Sequence, residues 1–182
     1  LVRPPGHHAE KFQAKGFCIF NNIAIAARYL LKKFSLQRIL ILDIDAHHGN
    51  GTQEIFLGNE KVTYVSLHRH PNYPGTGTSS EGNCLNFPLP ADCGDELHRK
   101  TLDKALSSVD RDRFDVLAVS AGLDTHVGDL ASLGLTERAY EYVGKRIAEL
   151  RMPTFLVLEG GYMGVNVGND VDALLNGMEK EQ

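Results

Sequence analysis

The sequence predicts one α/β domain in three layers, a mainly parallel sheet sandwiched between helices. Three observations point there. Short apolar runs alternate with longer stretches of helical periodicity, the rhythm of a βαβ chain. The apolar runs are rich in Val, Ile and Leu without strict alternation, which suits strands covered on both faces. The chain has 182 residues, enough for one domain with a real core.

In chain order, a helix is expected from Asn22 to Phe34 and a strand from Arg38 to Asp43 (RILILD). A second strand is expected from Val62 to Leu67. The stretch from His68 to Asp95 carries many Gly, Pro, Asn and Ser residues without clear periodicity and reads as a long functional loop. A helix from Glu96 to Val109 follows, then a strand from Asp115 to Ser120. Thr136, followed by Glu137, reads as the N-cap and acidic first turn of a helix running to Leu150. A strand from Thr154 to Leu158 and a helix from Asn169 to Lys180, capped by Asn169, complete the pattern. Right-handed crossovers would place all strand C-termini along one edge, where open α/β sheets bind ligands.

Composition excludes several classes. A net charge of −4 argues against direct nucleic-acid binding, which needs clustered Lys and Arg. The longest apolar runs are strand-sized, short of the roughly 20 residues of a membrane helix. Cys18, Cys84 and Cys93 form no C-x-x-C pair, and their odd number does not suggest a disulfide framework. A reducing, cytoplasmic setting is the simplest expectation. The opening text Leu1-Val2-Arg3-Pro4-Pro5 lacks Met and reads as the interior of a longer protein, so residues 1–182 are expected to be a single, partial domain.

The polar residues collect where strands end. The first strand runs into Asp43, Asp45, His47 and His48, the next-to-last into Asp124 and His126, and the last into Glu159-Gly160-Gly161-Tyr162. Asp45 and His47, two residues apart in extended chain, point the same way. With Asp124 they make a carboxylate–imidazole–carboxylate shell, a normal set for catalytic zinc with a coordination position left for water. His48 is not expected among the ligands. His7 and His8 supply a general base and an electrostatic partner. Asn50 is placed to hold an imidazole, and the phenol of Tyr162 to stabilise an oxyanion. His98 is expected on the surface, His126 in a structural role, and Cys18 in the core. No G-x-S-x-G or phosphate-loop pattern is present.

At these residues the sequence resembles the histone deacetylase family, with its arginase–deacetylase fold. The matching segments are RPPGHHA (Arg3 to Ala9), GFCIFNN (Gly16 to Asn22), LDIDAHHGNGTQEIF (Leu42 to Phe56), VSLHRHPNYPGTG (Val65 to Gly77), SAGLDTH (Ser120 to His126) and LEGGY (Leu158 to Tyr162). Asn50 and the Arg3-Pro4-Pro5-Gly6 entry look more like the class II and prokaryotic branch.

The resemblance implies Zn2+ on Asp45, His47 and Asp124, a shell that Fe2+ also fits. It implies His8 as proton shuttle with Asn50 as its partner, and His7 as electrostatic aid oriented by Asp43. Tyr162 becomes the oxyanion donor, and Phe17, Tyr73 and Gly161 the lining of an acyl-lysine tunnel. K+ or Na+ would sit near Asp43, Asp45, His47, Ser66 and Leu67, and a second such ion at Phe56, Asn59 and Val62. The implied reaction is hydrolysis of an N-acetyl amide, on acetyl-lysine in protein or on an acetylated polyamine or small amine. The family's domains are longer than this chain, so its N-terminal strands and acidic rim residue are expected to be missing. Two other readings are an acyl-lysine-binding fragment without catalysis and a two-metal, arginase-like hydrolase. Oligomerisation is left open.

Overall fold

The computed structural model describes residues 4–179. Arg3 of the first motif and Lys180 of the last expected helix lie outside them. The elements run α1 (Asn22–Lys33), β1 (Ile39–Asp43), α2 (Asn50–Phe56), β2 (Val62–Arg69), β3 (Cys84–Leu89), α3 (Gly94–Ser107), β4 (Val116–Ala121), α4 (Glu137–Glu149), β5 (Thr154–Leu158) and α5 (Gly164–Glu179), with a 3-10 turn at Arg111–Arg113. The five strands form one sheet in the order β3-β2-β1-β4-β5, and every neighbouring pair is parallel.

Burial explains why the strand sequences lack alternation. All five residues of β1 are buried. Leu40 and Leu42 face one core cluster with residues of α3 and α4, while Ile39 and Ile41 face another with Ile23 and Ala27 of α1. Period 2 is present in space, but both faces are apolar, so it disappears from the text. Each fully buried aliphatic side chain contributes about 1.5–3 kcal/mol, which anchors β1 firmly in the core. The strand order reverses beside β1: β2 and β3 lie on one side, β4 and β5 on the other. The crevice beyond β1 and β4 is therefore the switch point where such sheets bind ligands.

Several expectations need correction. The long loop from His68 contains a strand, β3, hidden by Pro88. Proline is tolerated there because β3 is an edge strand. His68 and Arg69 belong to β2, with His68 buried. A short helix, α2, follows the His47-His48 turn where none was expected. The last helix begins at Gly164, so Asn169 lies inside it and caps nothing; the glycines and asparagines of its first turns conceal it. Thr136 does precede α4, but its hydroxyl donates to Asp95 Oδ2 at 2.6 Å instead of capping the helix. No helix among the described residues is long and apolar enough to cross a membrane.

A further correction is His98, which is only 2% exposed. It shares the inner face of α3 with Leu102, Ala105 and Leu106, at helical spacing. Burial pushes its imidazole down to about 4 from the ordinary 6.5. Between those values the unfolded chain binds a proton that the folded protein refuses, so stability falls as pH drops from 6.5 towards 4. The loss between pH 7 and pH 5 is on the order of 2 kcal/mol. His98→Leu is expected to lessen the acid loss by that amount. Denaturant midpoints of the two proteins at pH 7 and pH 5 measure this, and an equal acid loss in both would exclude His98 as a source.

Candidate functional site

The rim beyond β1, β4 and β5 gathers the expected side chains. Asp45 and His47 follow β1, and Asp124 follows β4. Their ligand atoms all lie within 4.8 Å of one another. His47 Nδ1 is 3.1 Å from Asp45 Oδ1 and 2.9 Å from Asp124 Oδ2. Both carboxylates are fully buried, while the His47 side chain keeps 14% exposure. Asp45 Oδ2 accepts Gly160 N–H at 2.8 Å, and Asp124 Oδ1 accepts Ala46 N–H at 3.0 Å. Asp124 Oδ2, although near His47, has no partner in hydrogen-bond geometry.

The approach is close enough to require glycine. A Cβ at Gly160 would sit 2.5 Å from Asp124 Oδ2, and one at Gly122 only 2.2 Å from Asp45 Oδ2. Burial raises Asp124 to about 6, and the neighbouring Asp45 adds to this. Burial works against charge on His47 too, but its bonds to Asp124 and Asp45 outweigh it and raise the imidazole to about 10. Two buried carboxylates, an imidazole and an orphaned oxygen fit a divalent cation, with Asp45, His47 and Asp124 as the residues that would hold it.

The tandem histidines enter from the N-terminal loop. Their rings lie 4.2 Å apart but are held differently. His7 Nδ1 is 2.9 Å from Asp43 Oδ2, which also accepts the Tyr64 hydroxyl at 2.8 Å. Asp43 Oδ1 takes Asp45 N–H at 3.1 Å, so both oxygens of Asp43 are engaged in supporting the site. Burial opposes charge on His7, but Asp43 and Asp45 overcome it and raise the imidazole well above its ordinary value.

His8 Nδ1 lies 2.7 Å from Asn50 Oδ1, and Asn50 Nδ2 lies 2.7 Å from Glu10 Oε1. A carboxylate only accepts, so the amide must turn its N–H2 to Glu10 and its oxygen to His8. His8 therefore carries its proton on Nδ1 and leaves Nε2 basic. Burial, reinforced by charge on His7, pushes His8 down to about 3.

A cavity of about 50 Å³ opens here, lined by His7, His8, Asp45, His47, Phe17, Tyr73, Leu130, Gly160 and Tyr162 among others. The larger clefts, of about 410 and 540 Å³, are lined by other residues and hold none of these ligands. The Tyr73 ring is 5.1 Å from His8 and 6.2 Å from His47, and the Phe17 ring is 6.4 Å from Tyr162. Gly161, expected to line this space, is replaced there by Gly160. A Cβ on Gly161 would instead press on Leu123 and Val167, both 3.1 Å away.

His48 is no ligand: its nitrogens meet Thr76 Oγ1 and Gln53 Oε1. Asp43 at the end of β1 lies in register beside Ser66 within β2, with Leu67 next in β2. The carbonyls of Phe56, Asn59 and Val62 also converge, all within hydrogen-bond distance of Asn83 Nδ2.

Two supporting residues give little sign in the sequence. Glu159 Oε2 accepts Gly6 N–H at 2.6 Å and His7 N–H at 3.1 Å, fastening the tandem-histidine loop to β5. Its only signal is its place at the end of an apolar strand. Asp129 Oδ2 accepts the N–H groups of Tyr162 and Met163, both at 3.0 Å, and so holds the backbone that carries the phenol. Nothing in Gly128-Asp129-Leu130 announces that.

Comparison with known proteins agrees with this geometry. The pattern of the histone deacetylase domain matches residues 1–178. A probable deacetylase of Archaeoglobus fulgidus is 43% identical over 176 residues, covering 89% of this chain and 49% of the relative. Acetylpolyamine amidohydrolase 1 of Pseudomonas aeruginosa is 38% identical over 98% of this chain and 55% of its own length. A crystal structure of acetylpolyamine aminohydrolase from Burkholderia pseudomallei superposes with a TM-score of 0.91 at 35% identity, over 98% of this chain and 55% of that one. The chain thus spans about half the length of these relatives.

The metal assignment predicts a stability effect. Zinc at a hundred times its Kd should stabilise the metal-stripped protein by about 2.7 kcal/mol, seen as a raised denaturation midpoint. Asp124→Asn should remove most of that gain. A gain of the same size in the variant would argue against Asp124 as a ligand.

Proposed function

Because this chain belongs to the histone deacetylase family, we propose that it forms the catalytic centre of a metal-dependent amide hydrolase converting an N-acetyl amide and water into acetate and a free amine. One observation carries the reading: His8, locked by Asn50 with Nε2 basic, lines the same small cavity as the Asp45, His47, Asp124 cluster and Tyr162. When bound, zinc or Fe2+ supplies Lewis-acid polarisation of the acetyl carbonyl and acidifies water.

The chain's own residues supply the rest. His8 Nε2 takes a proton from the attacking water and delivers it to the leaving amine. His7, kept charged by Asp43, adds positive potential to the developing anion. Tyr162 donates its hydroxyl proton in a hydrogen bond to the oxyanion. Phe17 and Tyr73 line a cavity of only about 50 Å³, which supports a slender, unbranched acetylated amine: acetyl-lysine in protein or an acetylated polyamine. The second of these is favoured by the names of two of the relatives. K+ or Na+ near Asp43, Ser66 and Leu67 belongs to the same proposal. So does a reducing, cytoplasmic setting, which the three free cysteines support.

Tyr162→Phe is expected to lower turnover by roughly 10²-fold or more, as loss of an oxyanion donor does. The assay uses a panel of acetylated amines with the bound metal quantified. Near-normal turnover, or bound metal without turnover in the parent protein, would refute the hydrolase reading. Asp129 acts through Tyr162 as a positioning residue. Asp129→Ala should lower kcat by about tenfold or more, while Asp129→Asn, whose amide oxygen still accepts both N–H groups, restores it. Equal loss in both variants would count against positioning through those bonds.

A further inference from the structure

A second cluster of metal donors lies outside the proposed active site. His126 leaves the β4–α4 connection, Glu137 opens α4 and Asp170 comes from α5. One ligand atom from each lies within 4.8 Å of the others. His126 Nδ1 and Asp170 Oδ1 are 2.9 Å apart. That pair satisfies one carboxylate oxygen of Asp170. The other, Asp170 Oδ2, is buried without a hydrogen-bond partner in a residue that is 0% exposed. A buried, orphaned carboxylate oxygen is costly unless a cation or donor meets it.

No lysine or arginine meets it among the described residues. The other charged groups bearing on Asp170 are Glu137 and Asp129, both acidic. The donors are also held in place. The His126 ring stacks on Tyr140 with 5° between planes, and its backbone bridges to Leu135. The Tyr140 hydroxyl is fixed by Thr125 Oγ1 at 2.7 Å.

From this we infer that His126, Glu137 and Asp170 form a second, structural site for a divalent transition-metal ion that clamps the β4–α4 loop to α4 and α5. One imidazole with two carboxylates suits zinc, cobalt or manganese, whereas calcium and magnesium prefer oxygen ligands throughout. The clamp would brace the loop that also carries Asp129.

The test uses Co2+ alone, added to the metal-stripped protein, with bound metal counted after dialysis and affinities taken from calorimetry. Two ions per chain are expected. Asp124→Asn and Asp170→Asn should each bind one, and Glu137→Gln should bind its second ion at least tenfold more weakly. Circular dichroism of metal-free Asp170→Asn checks that it folds; should it not fold, Glu137→Gln, on an exposed side chain, decides. One ion in the parent protein, or a second ion bound equally well by Asp170→Asn or by Glu137→Gln, would overturn the inference. Stoichiometry is read without turnover, so this result stands apart from the hydrolase reading.

Discussion

Asp45 and Asp124 are both buried, with ligand oxygens within 4.8 Å of each other. Such a pair loses hydration and repels, so the surroundings must offset both effects. The offset comes from backbone N–H groups of Gly160 and Ala46, from the His47 imidazole, and from the cation the cluster would hold. Much of the rim follows from this requirement. β1 and β4 must lie adjacent, and glycine must stand at 122 and 160 for the backbone to come close enough.

The same concentration of charge separates the two N-terminal histidines. They are neighbours in sequence and in space, yet their environments drive them apart. His7 faces Asp43, which favours its charged form; His8 faces a neutral amide and favours the neutral one, with its proton on Nδ1. The charge on His7 further disfavours charge on His8. One imidazole becomes a fixed positive neighbour and the other a free base, a division of roles set by the partners behind the rings. Glu159 holds the loop where both pairings are made.

Much of this was legible in the text. Three strands ending in carboxylates and imidazoles marked the rim, and period-2 spacing put Asp45 and His47 on one side. The less legible parts share a physical cause: local signals were overridden by tertiary contacts. Pro88 hides β3 because only an edge position makes proline acceptable in a strand. Gly164 and Gly168 conceal the start of α5. His98 looked like a surface residue because polarity suggests exposure, although its spacing from Leu102 and Ala105 matched the inner face of α3. Gly161 and Gly160 are indistinguishable in the text, and only the turn shows which one lines the cavity.

By itself the sequence determined the fold class, the strand ends that carry chemistry, and the donor types offered to a metal, because these depend on residue type and short-range periodicity. The tertiary structure decided which donors meet. It joined Asp124 to Asp45 and His47 across two strands, committed Asp43 to His7 and Tyr64, and set Asp129 under the backbone of Tyr162. It also brought His126, Glu137 and Asp170 together from a loop and two helices. Those meetings depend on strand order, helix packing and the direction of single hydrogen bonds. Residues 33 or 77 positions apart become neighbours only when the sheet and its two helix layers have closed.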